Sequence, residues 1–246
     1  MIDIHCHLLP GVDDGSKSWE MTRAMLRVAA GDGITHIVCT PHANDSYPYD
    51  RVEHLGRVAE AQAMAGEWPQ LLLGCDFHLS YDNIQDALAH PRRYTVGSTP
   101  YLLIEFSDFG VAPGVLESVH RLIGAGMRPI ITHPERNATL GKNHEMVLRL
   151  VELGCFVQVT ASALTGYWGD GVRLSTEQLF KRRLVHVLAS DAHDPERRAP
   201  RLAAARDAAA KLTDGATAMA LVEDNPRAVI EGRPLPYLPD PARAGA

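Results

Sequence analysis

Short apolar runs that end in a histidine or a carboxylate recur along the whole of this 246-residue chain. Longer segments with helix-compatible spacing separate these runs, as expected for strands that alternate with helices. In (β/α) barrels the carboxyl ends of the parallel strands open onto one face, and the chemistry lies there. The pattern therefore predicts an α/β barrel of about seven strands, with the strand-end side chains gathered at one mouth.

The histidines at these strand ends form a candidate metal site. The chain opens with Asp3-Ile4-His5-Cys6-His7, where alternate residues of an extended strand project to the same face. A lone His-x-His among 12 histidines is more often chance than a ligand pair. Three further apolar runs, however, end in residues of the same chemistry: His42, His133, and Asp191 with His193. Histidine nitrogens mixed with carboxylate oxygens suit Mn, Zn or Fe and disfavour a thiolate zinc site.

Three more carboxylates follow predicted strands in the same way. Glu105 ends the run 101–104, and Asp76 follows the run that begins at Gln70. A buried acidic side chain is rare unless it is paired or bound to a metal, so both are candidate ligands. Asp14 lies in the turn Asp13-Asp14-Gly15 after the first strand. A plain turn before a helix cap is an equally good interpretation of that segment.

The composition fits one domain and disfavours two classes of partner. With 46% hydrophobic residues the chain can bury a single core, which we expect in residues 1–235. The proline-containing segment 236–246 is expected to be a poorly ordered tail. The net charge of −6 gives no basic footprint for nucleic acid. We find no apolar run of about eighteen residues and no leader-like start, so neither membrane insertion nor a signal peptide is expected.

The cysteines predict a reducing compartment. All four lie in or beside predicted strands, and they form no Cys-x-x-Cys pair. We expect buried, reduced thiols in a cytoplasmic protein, with disulfides as the alternative.

Six segments of the chain resemble motifs of one family. They occur in the family's order over about residues 1–235: His5-x-His7, Pro10–Gly15, Thr40–His42, Leu103–Phe106, His133–Arg136 and Ser190–His193. The chain resembles the PHP (polymerase and histidinol phosphatase) superfamily. More narrowly, it resembles the bacterial manganese-dependent protein-tyrosine phosphatases of the CpsB/YwqE type, which are linked to capsular and exopolysaccharide synthesis. The Pro-Gly-Val-Asp-Asp-Gly and His-Pro-Glu-Arg segments are specific to that branch.

The resemblance implies a distorted (β/α)7 barrel of the PHP type with three divalent metal ions at its mouth. Manganese is the expected metal, with iron or zinc as alternatives. The first ion would be held by His5, His7 and Asp191, and Asp76 would bridge it to the second. Glu105 and His133 would complete the second site, and the third would be held by Asp14, His42 and His193.

One ligand position departs from the family pattern. The family usually has glutamate where this chain has Asp76, which is one methylene shorter. The bridge is therefore expected to be shifted, monodentate or partly replaced by water. His78 is a possible substitute ligand, although a place on the barrel rim is the favoured interpretation.

The reaction implied by the resemblance is hydrolysis of a phosphotyrosine monoester. A metal-bridging hydroxide would attack phosphorus in line, while Arg136 and Arg198 would bind the phosphate. No cysteine nucleophile is expected, because none of the four cysteines has an arginine six residues on. The general acid stays open, since a metal or a water linked to His42 or His193 can serve a phenolate leaving group. The expected substrate is a phosphotyrosine protein, namely the tail of a bacterial tyrosine kinase.

Other functions are weighed against this one. A histidinol-phosphate or other small-molecule phosphatase would use the same site and differ at the rim. Candidates for the rim, which could equally be core or turn residues, are Asn44, Tyr47, Tyr49, Tyr167 and Trp168. The acidic charge counts against an exonuclease, and the positions of the lysines count against an amidohydrolase with a carbamylated bridge. Asp76 alone motivates a non-catalytic metal-binding subunit. The sequence leaves the oligomeric state open, a monomer and a dimer both being plausible.

Overall fold

Strands and helices alternate along the chain, as the sequence predicts. The computed structural model describes residues 1–107 and 110–242. The nine strands within them are β1 (Ile2–Cys6), β2 (His36–Cys39), β3 (His42–Ala43), β4 (Gln70–Leu73), β5 (Asp76–His78), β6 (Tyr101–Glu105), β7 (Arg128–Thr132), β8 (Phe156–Thr160) and β9 (Val187–Ala189). The helices are α1 (Trp19–Gly31), α2 (Arg51–Ala65), α3 (Tyr81–Ala89), α4 (Val115–Gly124), α5 (His144–Leu153), α6 (Ala161–Leu164), α7 (Asp170–Lys181), α8 (Ala203–Leu212), α9 (Gly215–Met219) and α10 (Asn225–Glu231). One π-helical turn, Ala220–Asp224, precedes α10.

The nine strand segments make seven barrel strands, because two of the strands are interrupted. Thr40 and Pro41 separate β2 from β3, and a proline has no N–H to donate to a sheet. Gly74 and Cys75 separate β4 from β5. A Cβ atom on Gly74 would lie 2.7 Å from Val38 Cγ1, so the packed Val38 side chain leaves no room for a larger residue there.

The strands pair in parallel and in chain order. One sheet has the order β1-β2-β4 and the other the order β3-β5-β6-β7-β8-β9. The end of β1 returns to the end of β9 through a parallel bridge between Cys6 and Ala192. The Asp191 N–H also donates to the His5 carbonyl at 2.8 Å. The predicted α/β class and the distorted (β/α)7 barrel are therefore confirmed.

Apolar and polar side chains alternate along β1. Ile2 and Ile4 are fully buried in a cluster that includes two residues of α10. Successive side chains of a strand point to opposite faces, so Asp3 and His5 point away from that cluster. The same strand thus supplies hydrophobic packing on one face and polar groups on the other.

Caps and prolines set the helix boundaries. α1 begins after Ser18, whose Oγ accepts a hydrogen bond from the Met21 N–H. The sequence pattern predicts helices that begin at Ser175 and at residue 199. In the structure α7 begins at Asp170, and α8 begins at Ala203, beyond Pro200. α3, which is capped by Ser80, has no counterpart in the sequence prediction.

The C-terminal segment 236–246, for which we expect a poorly ordered tail, is described as far as residue 242. The Tyr237 N–H donates to Asn225 Oδ1 at 3.0 Å, and the Tyr237 carbonyl accepts from Asn225 Nδ2 at 2.8 Å. The Ala242 N–H donates to the Arg182 carbonyl at 2.9 Å. Residues 243–246 lie outside the described residues. Across 1–107 and 110–242, no helix combines the length and the apolar character that crossing a bilayer requires.

Candidate metal centre

The five histidines predicted as ligands come together at the carboxyl ends of the strands. The ring centroid of His7 lies 5.3 Å from that of His5, 4.5 Å from that of His42 and 4.0 Å from that of His193. The ring of His133 lies 5.7 Å from that of His5. Residues that are as much as 188 positions apart in the chain (193 minus 5) therefore share one site.

Two fully buried carboxylates lie among these rings. Asp191 Oδ1 is 3.5 Å from Nε2 of His5 and 3.5 Å from Nε2 of His7. Asp76 Oδ2 is 3.5 Å from Nε2 of His5 and 3.3 Å from Nδ1 of His42. Asp76 and Asp191, which are far apart in the sequence, thus both approach the histidines of β1.

Asp14 and Glu105 complete the predicted set of nine. Asp14 Oδ1 lies 3.3 Å from Nε2 of both His42 and His193. The Glu105 carboxylate lies 3.5 Å from Nδ1 of His42 and 3.7 Å from Nε2 of His133. The turn that holds Asp14 is therefore part of the site as well as a connection to α1.

Three overlapping groups of these side chains have their ligand atoms within 4.8 Å of one another: His7, Asp14, His42 and His193; His5, His7 and Asp76; and His42, Asp76 and Glu105. These groups match the arrangement implied by the resemblance in part. His7 groups with the ligands implied for the third ion as well as with those implied for the first. His42 also groups with the ligands implied for the second ion.

The donor set fits divalent cations. Asp76 Oδ2 and His42 Nδ1 are buried atoms without a hydrogen-bond partner among the described residues, and they lie 3.3 Å apart. A buried polar group without a partner costs about 1–3 kcal/mol, which a shared cation would offset. Burial alone would raise the pKa of Asp76, but the nearby charges of His5 and His42 hold that pKa well below its usual range. Asp76 is thus an anion in a buried site, the state in which a carboxylate binds metal.

His133 and His193 are held in the neutral form that binds metals. Burial lowers the pKa of both to about 4. The charge of Arg136 adds to the effect at His133, and the charge of His7 adds to it at His193. At neutral pH both rings therefore keep a free lone pair.

Asp13 supports the centre from behind, a role that the sequence analysis does not assign to it. Its Oδ2 accepts from Nδ1 of His7 at 2.7 Å and from the backbone N–H of His42 at 3.2 Å. Burial would lower the pKa of His7, but Asp13 raises it to about 9, and His7 in turn lowers the pKa of Asp13 to about 2. This pairing directs Nε2 of His7 toward the site. Carboxylates commonly accept a hydrogen bond from metal-binding histidines, so Asp13, next to Asp14 in the sequence, could have been predicted as such a partner.

Gln158 plays the corresponding part for His5. Its Oε1 lies 2.9 Å from Nδ1 of His5 and is fully buried on β8. The sequence signal was an amide between two valines of a predicted strand. Asp3 joins β1 to β9 in a similar way, because its Oδ1 accepts from the Ser190 N–H at 2.9 Å.

Two of the site residues have strained backbones. His133 has φ of 34° and Asp191 has φ of 51°, in the left-handed region that L residues rarely adopt. His133 directly follows β7, and Asp191 lies two residues beyond the end of β9. Such strain collects at functional sites, where the surrounding structure holds it in place.

Arg136 and Arg198 lie together on the far side of Asp191. Arg136 donates to Asp191 Oδ2, and Arg198 Nη2 donates to the same oxygen at 2.7 Å. Asp191 Oδ1 faces the histidines, so one carboxylate divides its two oxygens between the metal-ligand cluster and the arginine pair.

A cavity of about 780 Å³ opens over this centre. Asn44, Tyr47, His78 and Trp168 lie on its wall, together with the arginines and most of the candidate ligands. Two of the rim candidates lie elsewhere. Tyr49 is buried and donates to the Gly74 carbonyl at 3.1 Å, and Tyr167 is 44% exposed outside the cavity wall. His78 lies 3.8 Å from Glu105, within the rim rather than within the three ligand groups.

The chain is similar to one family of proteins over most of its length. The family model described as "Capsular polysaccharide synthesis, CpsB/CapC" matches residues 1–231. The tyrosine-protein phosphatase YwqE of Bacillus subtilis is 32% identical over 203 residues, which cover 80% of this chain and 79% of that protein. The tyrosine-protein phosphatase CpsB of Streptococcus pneumoniae is 29% identical over 239 residues, which cover 94% and 98%.

Solved structures give the same result. One from the study of YwqE from Bacillus subtilis and CpsB from Streptococcus pneumoniae, described as unique metal-dependent tyrosine phosphatases, matches with a TM-score of 0.90 and 28% identity. The match covers 99% of this chain and 100% of that one. The histidinol phosphate phosphatase of Lactococcus lactis matches with a TM-score of 0.57, 12% identity and coverage of 87% and 95%, a likeness of fold alone.

Proposed function

This chain belongs to the CpsB/CapC family of capsular polysaccharide synthesis proteins, and from that premise we propose that it is a metal-dependent protein-tyrosine phosphatase of capsule or exopolysaccharide synthesis. The observation that carries the proposal is the division of the Asp191 carboxylate. One oxygen faces the His5 and His7 nitrogens and the other faces two arginines. A phosphate bound by the arginines would therefore lie beside the metals.

We further propose three divalent ions, with manganese as the native metal and iron or zinc as alternatives. The first would be held by His5, His7 and Asp191, and the second by Glu105 and His133, with Asp76 shared between them. Asp14, His42 and His193 would hold the third. The distances of 3.3–3.7 Å between these carboxylate and imidazole atoms support the assignment.

The chain itself binds and orients the substrate. Bound divalent ions would neutralise the charge of the phosphate oxygens and lower the pKa of a water molecule to near neutrality. Arg136 and Arg198 can each donate paired hydrogen bonds to phosphate oxygens, which suits the charge that develops in the transition state. Phenolate is a good leaving group, because the phenol has a pKa of about 10, and it therefore needs little assistance from a general acid. His42 and His193 line the cavity beside Asp14, and a water linked to either of them is the candidate for passing the phenolate a proton.

We propose the phosphotyrosine tail of a bacterial tyrosine kinase as the substrate, in the cytoplasm. The association of the family with capsule synthesis and the names of the relatives, tyrosine-protein phosphatases, support the substrate class. Cys6, Cys39, Cys75 and Cys155 are buried free thiols, which suits a reducing compartment. We also propose that residues 1–235 act as one catalytic domain.

Substrate choice tests this function. Manganese-loaded protein would be given a phosphotyrosine peptide, the same peptide with phosphoserine, and histidinol phosphate. The proposal predicts phosphate release from the phosphotyrosine peptide alone. Faster turnover of histidinol phosphate would move the chain to small-molecule metabolism, and no turnover of any substrate would favour a non-catalytic metal-binding subunit.

A further inference from the structure

Trp168 lies on the wall of the active cavity, in the loop between α6 and α7. Gly166 and Gly169 flank it with φ of 84° and 83°, and these left-handed residues turn the loop back toward the mouth. The indole Nε1 donates to Ser162 Oγ at 2.9 Å. Because the indole N–H is the only donor of the ring, this bond fixes the ring's orientation relative to α6.

The same ring contacts both arginines of the site. The Arg136 guanidinium carbon lies 3.9 Å from a Trp168 ring centroid, and that of Arg198 lies at 5.3 Å. Both distances fall within the roughly 6 Å over which a cation is attracted to an aromatic face. Arg136 follows β7, Trp168 follows β8 and Arg198 follows β9, so three successive loops of the barrel meet at this ring.

The arginine pair needs such a contact because its two cations share a single anionic oxygen. Both donate to Asp191 Oδ2, and their side chains are only 19% and 21% exposed. Two guanidinium groups so close together repel one another in a site that water screens poorly. A second carboxylate would relieve the repulsion but would occupy the N–H groups that must bind phosphate. An aromatic face attracts the cation and leaves its in-plane donors free.

We propose that Trp168 is a positioning residue that holds Arg136 and Arg198 in place for a phosphate dianion. The proposal rests on the proposed function, since it deepens the role of the arginine pair. This role differs from stacking on the aromatic ring of a substrate, because the Arg136 guanidinium already lies over the indole at 3.9 Å.

Binding of inorganic phosphate to the manganese-loaded protein, measured by calorimetry, tests the proposal without depending on catalysis. Trp168→Leu keeps an apolar side chain but lacks the aromatic face, and we expect its dissociation constant for phosphate to rise about tenfold. Trp168→Phe keeps an aromatic face and should stay within about threefold of the wild type. Bound manganese, measured on the same samples, should be unchanged in both variants.

Ser162→Ala provides the milder variant. It removes only the hydrogen bond that orients the indole, so phosphate binding should weaken about threefold at an unchanged melting temperature. Wild-type affinity in this variant would overturn the proposal even if Trp168→Leu failed to fold. Equal losses in Trp168→Leu and Trp168→Phe would also overturn it, because the aromatic face would then not matter.

A double substitution shows whether Trp168 acts through the arginines. In an Arg136→Ala background, Trp168→Leu should cost much less phosphate affinity than it does alone, because contacting residues are not additive. Full additivity would contradict the proposal. If the wild type shows this Trp168-dependent phosphate binding but hydrolyses no phosphotyrosine peptide, the positioning role stands and the proposed function fails.

Discussion

The Asp191 side chain links the two halves of the site, and its charge is the property that matters. Asp191→Asn keeps the shape of the side chain but removes the anion that faces His5 and His7 on one side and the arginines on the other. We predict loss of bound metal and of phosphatase activity together. Elemental analysis and phosphate release on the same preparation measure both, and full activity in this variant would refute the site as drawn.

Arg136 is predicted to serve the reaction without holding metal. Its guanidinium contacts Asp191 Oδ2, Thr160 Oγ1 and the Trp168 ring. Arg136→Ala should therefore bind metal normally and lose on the order of a hundredfold in kcat/KM. The matched control is Arg182→Ala, which removes an arginine paired with Glu145. A loss of metal in Arg136→Ala alone would contradict this division of roles.

Asp13 is predicted to tune metal affinity through His7. Asp13→Asn replaces the carboxylate that accepts from Nδ1 of His7 at 2.7 Å by a neutral amide. Metal affinity should fall by about 10- to 100-fold, as it does when such supporting groups are changed. Asp45→Asn alters another carboxylate of the cavity wall and should leave the affinity unchanged. Equal affinities for wild type and Asp13→Asn would show that His7 needs no such partner.

Residues of the site were predictable where the signal is local. His5, His7, Asp191 and His193 end apolar runs, and that pattern is visible in the sequence itself. Gln158 and Trp168 act through partners that the fold supplies: Gln158 meets His5 across 153 positions of the chain. The sequence indicates Trp168 as a rim candidate, but its contacts with the two arginines, like the contact of Gln158 with His5, are visible only in three dimensions.

The turn between β1 and α1 brings the backbone of Gly15 very close to His7. A Cβ on Gly15 would lie 2.3 Å from the His7 carbonyl oxygen and 2.4 Å from the His7 Cβ. Gly15→Ala should therefore displace His7 or Asp14 and destabilise the fold by roughly 1–3 kcal/mol, with weaker metal binding. Denaturant unfolding and metal titration measure the two effects.

The control for that change is a glycine with open space around it. Gly124, at the end of α4, has no atom within 4 Å of an added Cβ. Gly124→Ala should be neutral or stabilising, because alanine favours helix. If Gly15→Ala were equally well tolerated, the turn would not hold the site in the way described.

Elements were predicted well in kind and less well at their boundaries. The sequence pattern predicts helices over 51–65 and 144–153, and α2 and α5 have these bounds because helix caps and apolar spacing agree there. The strand predicted over 70–75 ends at Leu73, and a separate short strand begins at Asp76, after Gly74 packs against the Val38 side chain. Such interruptions arise from packing between strands, which the spacing of one segment does not reveal.

For the molecule as a whole, His186 predicts how stability responds to acid. It is 3% exposed just before β9, where the Val157 N–H donates to its Nδ1 at 3.2 Å, and burial lowers its pKa to about 4. An unfolded histidine has a pKa of about 6.5, so between these values the unfolded state binds more protons. Stability from this group is complete above pH 6.5 or so and is lost as the pH falls toward 4, by roughly 3 kcal/mol.

His186→Asn isolates that contribution, since its amide can still accept from the backbone. We predict a shallower decrease in the free energy of unfolding between about pH 7 and pH 4 than in the wild type. Urea unfolding at a series of pH values gives the comparison. Parallel curves for the two proteins would show that His186 is not the neutral buried group described.

The barrel as a whole was predictable because the strand-end rule applies to every strand at once. Parallel strands carry polar residues to one mouth, and the order of the chain closes the ring from β9 back to β1. The resemblance to the CpsB/YwqE branch, which rested on the order of six motifs, is confirmed by the family match over residues 1–231. The identity of the substrate was harder to predict from the sequence, because the cavity rim that selects it is built from separate loops.

The proposed function requires that the protein hydrolyses phosphotyrosine only when the histidines and carboxylates at the barrel mouth hold metal. Protein stripped with EDTA would be assayed on a phosphotyrosine peptide while manganese is added back. We predict no phosphate release without metal, and release that rises with manganese to a plateau in the wild type but not in Asp191→Asn. Turnover by the fully stripped protein, or equal restoration in Asp191→Asn, would contradict the account.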